Sequence, residues 1–313
     1  MGSVSDLPSI ADEIERYLRT GETDPYLAAW PGGVMARELR AHAELRAALV
    51  QEVRRFAEGR LHEPVPDGVG VELTRAKVEP MVRGLFPRAE QDVVLATLEK
   101  SVVYVTSETI EPLLMSHGYN SSAWDLANLY LGSLGADLLG KEAPHIVGLS
   151  ESTTCYVSPA YFAEDDPFAD FVVHEAAHIF HNCKRRTIGL RETRTKEWLL
   201  DIEFRKRETF AYSCEAYARV LARAKTPAER RELAAEYGQE VRISKVRVDP
   251  AEVASIVADA ASVRNGWKLI LGRCAPIMKP RSALRRARGC CCSRSGRTRV
   301  IVGRRWPVPR QAQ

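Results

Sequence analysis

One segment limits this fold more than any other: "PFADFVVHEAAHIFHN", residues 167–182. Its spacing is helical, with Asp165 or Asp166 placed to cap it and Pro167 near its first turn. Phe168, Phe171, Val172, Val173, Ala176, Ala177, Ile179 and Phe180 leave little room for a solvent face. A helix this apolar is substantially buried. Yet it carries His174, Glu175 and His178, and buried polar groups are costly without partners. The fold must enclose this helix and also give those three side chains something to bind.

The rest of the chain predicts what does the enclosing. Residues 1–140 read as a helical N-terminal region. Helical spacing runs through "SIADEIERYLRT" and "VMARELRAHAELRAALVQEVRRFAEG"; Gly32-Gly33 precede the second and Gly59 ends it. "HEPVPDGVGVE" is a loop by its Pro and Gly content. Further helices are expected from Arg88 to about Ser116 and from Ser122 to Leu139, the latter with an N-cap at Ser121-Ser122. The character changes near Gly140, where "HIVGLSESTTCYVSP" reads as one or two short strands. After the apolar helix, "KRRTIGLRETRTK" is a loop or hairpin arm. "EWLLDIEF" alternates Trp198, Leu200, Ile202 and Phe204 and suggests a strand. "KRETFAYSCEAYARVLARA" is a helix, and so is "TPAERRELAAEYG", opened by a Thr226 and Glu229 capping box. "DPAEVASIVADAASVRNGWKLIL" is the last helix expected. The fold class is therefore α+β and mostly helical, with a core in residues 141–280 and a basic, disordered tail at 281–313.

That tail holds ten arginines and no acid. All 41 Asp and Glu of the chain lie at or before Asp259, so the body is acidic and only the tail is basic. The net charge of +4 is then no nucleic-acid footprint of the body; a nucleic-acid partner would have the tail as its sole support. The seven cysteines form no C-x-x-C pair, which argues against a zinc finger or a disulfide framework and fits reduced thiols in a cytoplasm. No apolar run approaches the roughly 18 residues of a membrane helix. The N-terminus lacks the basic-then-apolar order of a signal peptide. A cytoplasmic location with no membrane partner is the expectation.

His174 and His178 are four apart and share a helix face. Two imidazoles one turn apart can reach one Zn²⁺ at about 2.0–2.1 Å. Glu175, beside the first, can lean over the metal and hold its water. The ion lowers that water's pKa toward about 7, and the carboxylate takes its proton as it attacks a carbonyl. This is the logic of H-E-x-x-H. The pattern arises by chance in roughly one of a hundred chains of this composition. Its place in a helix too apolar to hold three polar residues idly is what gives it weight.

On His174, Glu175 and His178 the chain resembles the zincin metallopeptidases, over about Thr153 to Leu221. The resemblance implies a Zn²⁺-dependent hydrolase acting on a peptide or protein substrate. It also implies a zincin-like core that pairs a small sheet with the active-site helix, with "TCYVSPAYF" as an edge strand beside it. The metzincin extension is absent: the place of its glycine is His181, and no histidine follows. A carboxylate third ligand, as in the gluzincin branch, is the natural alternative. Glu208, opening a helix, is the first choice. Glu215 lies two turns on along the same face. Glu197, followed by Asp201, mimics the Glu-x-x-x-Asp spacing of some gluzincins but falls in the segment read as strand. Glutamates not used as ligands are candidates to accept from imidazole N–H groups. Tyr212 either donates to an oxyanion, as tyrosines do in some zincins, or is a core tyrosine. His181 reads as a surface or helix-end histidine, with ligation or substrate contact as alternatives. The function expected is a zinc metallopeptidase with Glu175 as general base. The alternative is an inactive zinc-binding regulatory or interaction module on the same fold.

Overall fold

A computed structural model of the chain describes residues 8–60, 71–143, 145–146, 148–163, 165–193, 195–239, 243 and 248–276. Helices dominate, with one small sheet. In order they are α1 (Ile10–Thr20), α2 (Val34–Ala57), α3 (Val71–Leu85), α4 (Arg88–Leu98), β1 (Val102–Tyr104), α5 (Ile110–Ser116), α6 (Asn120–Ser133), β2 (Gly148–Glu151), β3 (Thr154–Val157), α7 (Phe171–Asn182), α8 (Arg207–Arg223), α9 (Pro227–Gln239), α10 (Pro250–Ser262) and α11 (Gly266–Cys274). The α+β, mostly helical class is the one expected. The basic segment 281–313 and most of the "HEPVPDGVGVE" loop lie outside the described residues. No described helix is long and apolar enough to cross a membrane.

The sheet has the order β1-β3-β2, with β1 parallel and β2 antiparallel to β3. Strand alternation on β3 divides the core. Cys155 and Val157 enter an apolar cluster around α7, whereas Tyr156 enters a second one built from α1, α2, α5 and α6. The cluster around α7 draws Met81 and Leu85 from α3, Leu98 from α4, Phe210 and Cys214 from α8, Ile256 from α10 and Ile270 from α11. The helix is thus covered on all sides, as its composition demands. A third cluster joins Tyr212, Ala216 and Val220 of α8 to α9 and α10.

Several local expectations are corrected. The helix expected from Arg88 to Ser116 is broken by β1, where "VVYV" supplies β-branched and aromatic residues and Val105 N–H donates to Val157 O at 3.0 Å. Helix α3 was not expected; it runs through Pro80 and adjoins the Pro- and Gly-rich loop. Helix α6 starts at Asn120 with no side-chain cap, not at Ser121-Ser122. The last expected helix is two, because the Asn265 side chain accepts from Lys268 N–H and starts α11 afresh.

The ends of α7 also differ from expectation. Its cap is Asp170, whose side chain accepts from Val173 N–H. Asp166 instead accepts from Phe168 N–H at 2.9 Å, which holds the chain in a local turn before the helix. "EWLLDIEF" is not a strand. Leu199 N–H donates to Cys183 O at 3.1 Å and Leu200 N–H to Phe180 O at 2.8 Å. Its backbone donors therefore satisfy carbonyls at the end of α7 rather than a sheet. The inward residues are Leu199 and Ile202, while Phe204 is 69 % exposed.

Candidate metal centre

Glu208, Tyr212 and Glu215 stand at i, i+4 and i+7 on α8, one face of that helix, and α8 packs that face on α7. His174 Nε2 and His178 Nε2 are 3.2 Å apart. Glu208 Oε2 lies 3.8 Å from the first and 3.7 Å from the second. Among the described residues, this is the group of His, Cys, Asp and Glu placed to hold a metal ion, its ligand atoms within 4.8 Å of one another. Ligands about 2.05 Å from one tetrahedral ion are about 3.3 Å apart, so the observed separations need only small adjustment. Two imidazoles and one carboxylate suit a borderline divalent ion and leave a coordination position open.

The outward ring nitrogens are also engaged. His174 Nδ1 is 3.0 Å from Glu215 Oε2, and Glu215 Oε1 accepts from Asp170 N–H at 2.8 Å. Asp170 in turn takes the Lys77 ammonium of α3. An ionised carboxylate only accepts, so the His174 proton stays on Nδ1 and the Nε2 lone pair faces inward. Tyr212 sets its ring edge-to-face on His174, centroids 4.6 Å apart. Burial alone would lower the His174 pKa, but Glu215, Glu175 and Glu208 together carry it above the ordinary imidazole value.

His178 Nδ1 is 3.0 Å from His181 Nε2, and His181 Nδ1 is 3.1 Å from Asn182 Oδ1. His181 is 1 % exposed, which corrects its reading as a surface residue, although it does stand in the last turn of α7. Three positions after His178, it remains on the buried face of α7. Burial, and then the Arg207 charge, push its pKa down to about 3.

Glu175 is 2 % exposed and points to the sheet side of α7. There Gly148 makes room for it: a Cβ at that position would come 2.4 Å from Glu175 Oε1. Glu175 Oε2 is buried with no hydrogen bond among the described residues. Burial pushes this carboxyl up to about 7; His174 opposes that and Glu208 adds to it.

The structure thus brings His174, Glu175, His178, Glu208, Tyr212 and Glu215 to one place. Glu197 is not there. It pairs with Lys184 at 2.7 Å on the surface, carried off by the segment that covers the end of α7. Asp170, Lys77, Gly148 and Asn182 had no role in the sequence reading. Asp170 had a usable signal, an N-cap residue just ahead of the apolar run; the others act through tertiary contacts that no local pattern announces. No family model, curated protein or solved structure matches the chain.

Proposed function

We propose that this protein is a zinc-dependent metallopeptidase that hydrolyses peptide bonds with Glu175 as general base. The observation that carries the reading is the convergence of His174 Nε2, His178 Nε2 and Glu208 Oε2 beside a buried carboxylate with an unused oxygen. His174, His178 and Glu208 would hold the ion. Bound zinc supplies a Lewis acid and lowers the pKa of a water toward about 7. Glu175 is suited to receive a proton at Oε2 and return it to a leaving amine, because burial raises its proton affinity above that of an ordinary carboxylate. Glu215 keeps the His174 lone pair inward. Tyr212 sets its ring against His174, and its hydroxyl would be the donor to test for the developing oxyanion.

Elemental analysis of the purified chain tests the metal, with one zinc per chain expected. Glu175→Gln is expected to keep the zinc and lose about 10²–10⁴-fold in peptide hydrolysis. A zinc-free wild-type protein refutes the whole reading; full hydrolysis by the Glu175→Gln variant refutes its catalytic part. Tyr212→Phe keeps the ring and removes the hydroxyl, so lost turnover with zinc retained assigns the phenol to the reaction.

A second reading, a zinc-binding interaction module without turnover, draws on the depth of the site. His174, Glu175, His178 and Glu208 are all under one-tenth exposed. Stoichiometric zinc with no cleavage across a random peptide library would favour it.

A further inference from the structure

We infer that His181 and Asn182 form a positioning relay that sets the tautomer of His178. This rests on the zinc reading above and adds residues outside the three ligands and the base.

The direction of the relay follows from its end. Asn182 Oδ1 is an amide oxygen and can only accept, so His181 Nδ1, 3.1 Å away, carries the proton. A neutral imidazole has one N–H, which leaves His181 Nε2 with a lone pair. His178 Nδ1, 3.0 Å from that nitrogen, must then donate. The remaining lone pair of His178 is on Nε2, the atom that faces His174 and Glu208. One amide carbonyl at the last residue of α7 thereby orients two rings.

Other roles for His181 do not fit the geometry. It meets His178 on the outer nitrogen, on the opposite side of that ring from the ligand group, so it cannot share the ion. The helix end is served by backbone: Cys183 N–H donates to Ile179 O, and Leu200 N–H to Phe180 O. The two ligand rings are therefore supported differently. His174 leans on the anionic Glu215, and His178 on a neutral imidazole. A neutral support draws less charge onto the ligand and leaves the ion a stronger Lewis acid.

The test is zinc affinity of the full chain, read by competition with a chromophoric chelator. His181→Leu removes the acceptor and is expected to weaken zinc binding about 10–100-fold. His181→Gln restores an amide oxygen to accept from His178 Nδ1, and is expected to recover most of that loss. Asn182→Leu frees the His181 tautomer and is expected to weaken binding less than His181→Leu does. Thermal unfolding of the zinc-free proteins separates folding from binding. Wild-type affinity in a folded His181→Leu variant overturns the relay, and so does equal loss in the Leu and Gln variants. Where His181→Leu does not fold, Asn182→Leu decides by the same comparison. A wild-type chain that binds no zinc refutes the metallopeptidase reading itself, which is a different result from zinc bound equally by all variants.

Discussion

Gly148, the first residue of β2, has the least room for change near the site. A Cβ there would come 2.4 Å from Glu175 Oε1, 2.7 Å from its Cγ and 2.8 Å from its Cδ. Ordinary contact begins near 3.4 Å, so the carboxylate must withdraw by about 1 Å. The strand cannot yield easily, because Gly148 is paired with Val157 in the β2–β3 ladder. Gly148 is not among the residues with positive φ, so crowding alone distinguishes alanine from glycine here. Crowding of this kind in a packed interior costs about 1–3 kcal/mol. A base moved by about 1 Å loses about 10² in rate. Gly148→Ala is therefore expected to lower the urea-unfolding free energy by about 1–3 kcal/mol and peptide hydrolysis about 10²-fold, with zinc content unchanged. The three atoms nearest the new methyl all belong to Glu175. Wild-type stability together with wild-type hydrolysis would refute the claim that Glu175 depends on this glycine. Loss of zinc in step with activity would show that the ligand group and the base do not move independently.

Four other outcomes are expected. Glu208→Ala should abolish stoichiometric zinc in elemental analysis, whereas Glu197→Ala should leave it intact, since Glu197 only pairs with Lys184 at the surface. Asp170→Ala removes the α7 cap and the Lys77 partner but keeps the backbone N–H that Glu215 holds, and should destabilise the chain by about 3 kcal/mol in denaturant titration. Gly84→Ala would bring a Cβ within 2.1 Å of Trp267 Cδ1 between α3 and α11, and should cost about 1–3 kcal/mol in the same assay without touching zinc affinity. Zinc at about 100 times its Kd should stabilise the fold by about 2.7 kcal/mol relative to chelated protein in calorimetry, and an unchanged unfolding midpoint would count against a site confined to the native state.

The sequence makes the central helix legible because the relevant signals are local. Phe171 to Phe180 cannot face water, and His174, Glu175 and His178 cannot be buried idly, whatever surrounds them. One or two short strands are legible in "HIVGLSESTTCYVSP" from another local signal, its β-branched residues. The misreadings share a different cause. The alternation in "EWLLDIEF" is compatible with a strand, but an extended chain can also lay its N–H groups on the end of a helix, and tertiary context decides between them. β1 has only three residues and gains its partner from β3, some fifty positions later. Spacing after His178 could not choose among Glu197, Glu208 and Glu215 on its own, because the choice is made by how α8 crosses α7. In the structure Glu208 joins the ligand group, Glu215 meets the outer nitrogen of His174, and Glu197 goes to the surface.

The hydrogen-bond directions around α7 give the strongest physical support for a cation. Glu215 fixes a proton on the outer nitrogen of His174, and the His181–Asn182 pair fixes one on the outer nitrogen of His178. Both inner nitrogens then carry lone pairs, 3.2 Å apart. The third member of the group is a carboxylate oxygen, also an acceptor, at 3.7–3.8 Å. Three lone-pair-bearing atoms that converge in a buried space repel one another, and with the outer protons in place no N–H lies between them. A proton can relieve one contact at a time. A divalent cation relieves all three at once while the supporting bonds stay as they are. Glu215, His181 and Asn182 hold the outer nitrogens in line, and Asp170 and Lys77 stand behind Glu215, so this set limits how the inner atoms of the candidate metal site can turn.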